Sequence, residues 1–265
     1  MNDFLVTVND IYLNQSCCHT KDGYTCNCYP CMKKSFFDGQ DDYSCLKKLC
    51  YYSLNFGPAF VSEIYHFLAN TKILESFSDK DNIRILSLGC GFGSDLIAMN
   101  RYIKDNNLKS NLLYTGVDKE PLWENIRFTN TYSEYFVYDV LDGLNFNSFD
   151  IIFINKLFST LKRYGLHDKF LLLVQEQIIS TMQAKSVLIF NDKNHYNQGR
   201  DEFHSGVNSL FRRSLQCYFP IDNAHNGYGK YKQIRNINTV VSIPNGISIN
   251  PKREVTKTVF FAYEK

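Results

Sequence analysis

The residues whose spacing speaks most directly of chemistry lie in "ILSLGCGFGSD", Ile85 to Asp95, where a short apolar run gives way to glycines at 89, 91 and 93. Glycine lets a backbone turn through positive φ and pass close to a ligand with no Cβ in the way. Where such a loop enters a helix, the unpaired N–H groups of the first turn favour an anionic group, and Ser94 is a capping type of residue. A phosphate-binding P-loop would end in Gly-Lys-Ser/Thr, which is absent. A dinucleotide fingerprint would read G-x-G-x-x-G, and Ser94 stands where its third glycine belongs.

Cysteine forms the second concentration. Seven of the nine cysteines fall within the first fifty residues, and "CCHTKDGYTCNCYPC" spaces Cys26, Cys28 and Cys31 as C-x-C-x-x-C behind Cys17 and Cys18. In a reducing compartment this crowding favours metal over disulfides, and four thiolates suit a tetrahedral structural zinc. A segment this short has little core of its own, so metal would supply much of its folding energy. His19, Cys45 and Cys50 are substitute ligands. An iron–sulfur cluster and simple unpaired thiols stay open as alternatives.

These groups need elements to position them. Apolar runs at 83–88, 112–117, 134–140, 149–154, 186–190 and 257–263 read as strands. Helical patterns start at Gly57, where Pro58 suits a first turn, and recur around Leu96–Ile103, over 167–182 and over 201–217. Pro-Asn-Gly within 238–249 suggests a hairpin. Strand–helix alternation implies an α/β fold, a doubly wound and mostly parallel sheet covered on both faces. The expected organisation is a cysteine-rich module at 1–50, a helical connection at 51–82 and the α/β domain at 83–265.

Charge divides unevenly. Lys and Arg exceed Asp and Glu by 11 to 5 in residues 193–265, whereas residues 1–82 carry 7 against 10. A basic C-terminal third can face phosphates, with Arg200, Arg212, Arg213, Lys230, Lys232 and Arg235 as contacts, or can be a solvated surface. No basic, apolar-cored leader opens the chain and no apolar run approaches the roughly 18 residues of a membrane span. A soluble cytoplasmic protein with no membrane partner is expected; its oligomeric state is not legible.

The glycine loop together with "YTGVDKE" containing Asp118, "YFVYDVLD" with Asp139, and "FDIIFINKLF" around Asn155 resembles the class I, Rossmann-like, seven-stranded S-adenosylmethionine-dependent methyltransferases. Each piece falls at a strand end in the family's order, and the resemblance covers residues 83–192. It implies S-adenosylmethionine as cofactor, with Asp118 accepting from the ribose hydroxyls, Asp139 and the Val140 backbone meeting adenine, and Gly89, Cys90, Gly91 and Gly93 passing the methionine and ribose. Asn155 would border the same site. The family usually carries an acid two positions before the first glycine. Here that position is Ser87, and Asp95 is the residue able to stand in for it near the methionine ammonium, or else a helix N-terminal acid complementing the dipole.

In this fold the loops after the fourth and fifth strands meet the substrate. They carry Asn155, Asp192, His195 and Tyr196 as candidates for orienting or deprotonating a nucleophile, histidine being able to act as a base near neutral pH. The Asn/Asp-Pro-Pro-aromatic signature of amine-directed nucleic-acid enzymes is absent, as are a loop cysteine for pyrimidine C5 chemistry and the paired glutamates of arginine methylation. Nucleic acid, RNA or DNA, is the leading expected substrate. A protein or small molecule is the alternative if the basic residues prove dispersed and the pocket deep. A catalytically silent, cofactor-fold binding subunit is the reading from a different class.

Overall fold

The computed structural model describes the chain apart from residues 17–27, 30, 32–42, 147, 221–231 and 256 and the side chain of Tyr196. Eight strands form one sheet: β1 Asn82–Leu88, β2 Asn111–Asp118, β3 Ser133–Val137, β4 Ile151–Asn155, β5 Val187–Lys193, β6 Arg213–Tyr218, β7 Lys232–Gln233 and β8 Thr258–Glu264. Their order is β3-β2-β1-β4-β5-β8-β6-β7. Strands β1 to β5 run parallel, and β8 inserts antiparallel between β5 and β6. This is the doubly wound, mostly parallel α/β sheet that the strand–helix alternation calls for.

The period-two geometry of strands sends successive side chains to opposite faces. Ile83 and Ile85 of β1 join one core cluster, and Leu86 and Leu88 join the other. All five residues of β4 are buried, as expected of a central strand covered on both sides. On the first face lie α1 (Asn2–Asn14), α2 (Leu46–Thr71) and α3 (Ser94–Asp105), with Leu5, Val8, Leu54, Ile64 and Phe67 in its core. The second face carries the short helices α4 (Phe158–Arg163), α5 (His167–Leu173) and α6 (Arg200–Val207), with Phe158, Phe170, Phe190 and Phe203 packed together. Each such side chain contributes roughly 1.5–3 kcal/mol on burial. No helix of the described residues is long and apolar enough to cross a membrane.

The N-terminal segment departs from the sequence reading. Residues 2–14, within the expected cysteine-rich module, are a helix, and Leu5 and Val8 are buried in the core shared with the sheet. Helix α2 starts at Leu46 instead of Gly57, and Pro58 sits in its interior. A mid-helix proline costs about 3 kcal/mol, but Leu49, Leu54, Val61 and Ile64 are all fully buried along this helix, and their burial outweighs that cost. Cys17, Cys18 and Cys26 of the expected zinc set, with His19, lie outside the described residues. Cys28 is buried and Cys31 half-buried. Among the described residues no group of three His, Cys, Asp or Glu side chains stands together as a metal site.

Two C-terminal expectations also shift. The helix expected over 201–217 ends at Val207, and Arg213–Tyr218 is strand β6, placing Cys217 opposite Phe260 of β8. Pairing to a buried neighbour decides here over local propensity. In place of a hairpin at 238–249 there is a single bridge between Asn238 and Glu254. Thr239 and Val240 instead bond the Ser62 hydroxyl of α2, at 2.9 and 3.0 Å.

Candidate active site

A cleft opens beyond the carboxyl ends of β1, β2 and β4, where an open parallel sheet places its ligands. Its space, open solvent at the mouth included, is about 1130 Å³, and it joins the glycine loop, the ends of β2 and β4, and helix α2. One end is backbone and carboxylate; the other is aromatic.

At the first end, the N–H groups of Gly89 and Cys90 donate to the Val117 carbonyl at 2.8 and 3.1 Å, tying the loop to the end of β2. Gly91 N–H then donates to Asp118 Oδ2 at 2.9 Å, and Glu120 N–H to Oδ1 at 3.1 Å. Each carboxylate oxygen keeps a further lone pair, and Asp118 lines the cleft. Burial raises the Asp118 carboxyl above its usual range, against these two bonds and the nearby Arg127, which favour the ionised form. Gly89 and Gly93 need their glycines. Their φ values are +70° and +86°, and a Cβ would stand 3.2 Å from Leu157 and 2.8 Å from the Tyr135 hydroxyl respectively.

Gly89, Cys90, Gly91, Asp118, Asp139, Val140 and Asn155 all line the cleft. Asp139 also caps its own turn, accepting from Leu141 N–H at 2.9 Å. Ser87, Gly93 and Asp95 are not on the cleft wall. Ser87 and Asp95 are fully buried beneath the loop, and Asp95 accepts from the Tyr114 hydroxyl at 2.9 Å. Burial raises its carboxyl. The side chain expected to replace the missing acid is thus turned into the core.

The aromatic end consists of Tyr43, Tyr52 and Phe60, with Trp123 between the two ends. Tyr52 meets Tyr43, Phe60 and Trp123 at centroid separations of 6.3, 5.7 and 6.1 Å. Burial, then the neighbouring Tyr43, Glu63, Asp118 and Asp192, hold the Tyr52 phenol well above its usual value, so it stands neutral as a hydrogen-bond donor. Sequence reasoning singles out none of these rings. The signal that could have found them is Tyr52, Phe56 and Phe60 at i, i+4 and i+8, one face of a helix.

Beneath the cleft runs a buried polar chain. Asn155 Nδ2 donates to Ser94 Oγ at 3.1 Å, and Asn155 Oδ1 accepts from Asn191 Nδ2 at 2.8 Å. Asn191 Nδ2 also donates to Glu63 Oε1 at 2.7 Å. Asn155 therefore orients the start of α3 below the glycine loop. Asp192 is fully buried, off the cleft wall, and receives Ser159 and Lys193 N–H groups at 2.8 and 2.7 Å. Its observed work is to fix the start of α4. His195 is exposed, bonded to Asn197, and off the cleft wall. The backbone of Tyr196 begins the next turn, beside His195.

The basic residues do not gather. Arg200 is fully buried, which corrects the expectation that it meets phosphates. Arg212 pairs with Glu264 at 2.7 Å. Arg213 lies opposite Glu264 in the register and Glu264 opposite Val187, the first residue of β5, so this corner is at the amino ends of the strands, away from the cleft. Lys232 pairs in register with Cys217, at the other end of β6, and Lys230 lies outside the described residues.

No family model and no curated protein matches the chain. Among solved structures it is similar to the plantazolicin methyltransferase BpumL in complex with a monoazolic desmethylPZN analog and SAH, at 15% identity over 88% of this chain and 93% of that one, with a TM-score of 0.49. It is also similar to the N-methyltransferase NodS from Bradyrhizobium japonicum WM9 bound to S-adenosyl-l-homocysteine, at 11% identity over 76% and 87% with a TM-score of 0.44. A SAM-dependent methyltransferase from Archaeoglobus fulgidus shares 14% identity over 76% and 94%, with a TM-score of 0.43.

Proposed function

We propose that this chain is an S-adenosylmethionine-dependent methyltransferase acting on a small planar acceptor. The observation that carries the reading is one cleft joining a positive-φ glycine loop, the Asp118 and Asp139 carboxylates and an aromatic wall from a different part of the chain. The donor set fits the cofactor. Asp118 keeps acceptor lone pairs for adjacent hydroxyls, Asp139 and Val140 stand on the same wall where a base would lie, and the glycine loop borders the space beside them. When bound, S-adenosylmethionine supplies an electrophilic methyl carbon. The protein's own part is to hold that end and to set an acceptor against it on the Tyr52 and Phe60 side, with water displaced by the rings.

Two observations favour a small acceptor over nucleic acid. Arg200 is buried and Arg212 is paired with Glu264, so neither offers a phosphate contact beside the cleft, and Tyr43, Tyr52 and Phe60 give the cleft an aromatic side.

Trp123, the single tryptophan, borders the cleft and reports occupancy. S-adenosylmethionine should change its emission saturably, and Asp118→Ala should abolish the change. Methyl-labelled cofactor offered with metabolite, protein, RNA and DNA fractions should label the metabolite fraction. Label in RNA or DNA would restore the nucleic-acid assignment, label in protein would move the acceptor to a polypeptide, and binding without transfer to any fraction would make the chain a silent binding subunit.

A further inference from the structure

One buried ion pair reaches the cleft through its lysine. Lys156, directly after Asn155 at the end of β4, places its Nζ 2.8 Å from Glu63 Oε1 of α2, with the two side chains only 15% and 3% exposed. The same Nζ donates to Thr258 Oγ1 at 3.1 Å and stands 5.3 Å from the centre of the Phe60 ring. Glu63 is off the cleft wall: its Oε1 also accepts from Asn191 Nδ2 at 2.7 Å, and its Oε2 accepts from Thr258 Oγ1 at 2.9 Å. Lys156 differs. Two of its three N–H donors are engaged among the described residues, and its side chain forms part of the cleft wall beside Phe60 and Tyr52.

Two costs mark this arrangement as more than a strut. Lys156 has φ +56°, a left-handed conformation that is strained for a residue with a Cβ. A buried Lys–Glu pair also loses solvation that apolar residues of the same size would not. Strain and buried charge together gather where a site uses them. What an ammonium facing an aromatic recess can use is an anionic oxygen on a planar ring, because the rings take the flat body and the ammonium takes the charge.

Resting on the methyltransferase reading, we propose that Lys156 is the acceptor-binding residue, and that the acceptor is a planar hydroxyl compound of the phenol or enol class, held as its oxyanion on the Lys156 ammonium against Tyr52 and Phe60. Glu63 is then a positioning residue: it fixes the direction of the Lys156 ammonium. An amine acceptor would meet a like charge there and bind poorly. In the transfer, the hydroxyl proton leaves to solvent through the open mouth, the acceptor oxygen forms the new bond to the methyl carbon, and the C–S bond breaks with its electron pair remaining on sulfur. Lys156 neither gains nor loses a proton overall.

The test uses 4-nitrophenol, whose ionised form absorbs separately from its neutral form, with the full chain and its variants. Wild-type protein should bind the ionised form and display its absorption band at pH values where free nitrophenol is mostly neutral. The double variant Lys156→Met with Glu63→Gln removes both charges and so leaves neither buried alone. It should bind the ionised form at least about tenfold more weakly, the scale of one charge-assisted hydrogen bond. Lys156→Arg should restore most of the binding. Unchanged circular dichroism in the double variant separates loss of the site from loss of the fold, and if that variant unfolds, Lys156→Arg against Lys156→Met decides. Nitrophenol bound in its neutral form, or bound equally by wild type and the charge-free variant, overturns the proposal. Cofactor binding, read separately from Trp123, distinguishes the two failures. Ionised nitrophenol held through Lys156 in a protein blind to S-adenosylmethionine would sink the methyltransferase reading and leave this anion site standing.

Discussion

The two ends of the cleft are built by different means. At the glycine-loop end the geometry belongs to the backbone: N–H groups of residues 89, 90 and 91 are consumed by Val117 and Asp118, which are themselves at the end of the neighbouring strand. At the aromatic end the geometry belongs to side chains from α2, β4 and β8, tied together through Glu63, Lys156 and Thr258. A backbone-built end tolerates change in everything except glycine and the one carboxylate that holds it. A side-chain-built end can be re-specified residue by residue. The first end is thus suited to keeping one ligand, while the second is free to choose among acceptors.

The sharpest way to break this comparison is Glu63→Ala. It leaves the Lys156 ammonium largely buried without its carboxylate and unties α2 from the sheet, and should destabilise the protein by about 3–5 kcal/mol. Denaturant midpoints measure it; a loss under ~1 kcal/mol would show that the pair is solvated in practice and that α2 is held by its apolar face alone. Gly93→Ala comes next. Its Cβ would lie 2.8 Å from the Tyr135 hydroxyl at a φ of +86°, so a cost of roughly 1–3 kcal/mol is expected from strain and crowding. Because the damage falls in the loop, S-adenosylmethionine binding should weaken along with stability, whereas Glu63→Ala should affect nitrophenol binding more than cofactor binding.

The smallest effect sharpens the loop end by pH. Burial holds the Asp118 carboxyl above its usual value of 3.8. The ionised form that accepts from hydroxyls is therefore complete only above the raised value, and cofactor affinity should begin to fall at a higher pH than an ordinary carboxylate would give as the solution is acidified. Each pH unit below the raised value should cost up to about tenfold in affinity. Asp118→Asn should bind more weakly but without that acid limb; retention of the limb in the variant would assign the titration to another group.

Much of the first end is legible in the sequence alone. Alternate glycines after a β-run, with acids at 118 and 139 behind later strands, are local patterns, and the fold brings Gly89, Gly91, Asp118, Asp139, Val140 and Asn155 to one wall. Asp95 marks where local pattern stops being enough. Its position in the first turn of α3 is visible from sequence, but its direction is set by the Tyr114 hydroxyl on the neighbouring strand, which lies 19 residues away in sequence. Asp192 repeats the lesson, since a carboxylate in a loop looks chemical and proves to be holding the N–H groups of Ser159 and Lys193. Arg200 likewise counts as surface charge until packing buries it.

What the amino-acid order determined by itself is the α/β sheet and the glycine-loop end, because periodicity and glycine conformational freedom act over a few neighbouring residues. The extent of α2 through Pro58, the turning of Asp95 and Asp192 away from the cleft, and the meeting of Glu63 with Lys156 and Thr258 were decided only in the tertiary structure. Glu63 and Thr258 are 195 residues apart, and no local pattern encodes which buried carboxylate will find which partner. That choice belongs to the packing of the whole core, where an unpaired charge is too costly to leave behind.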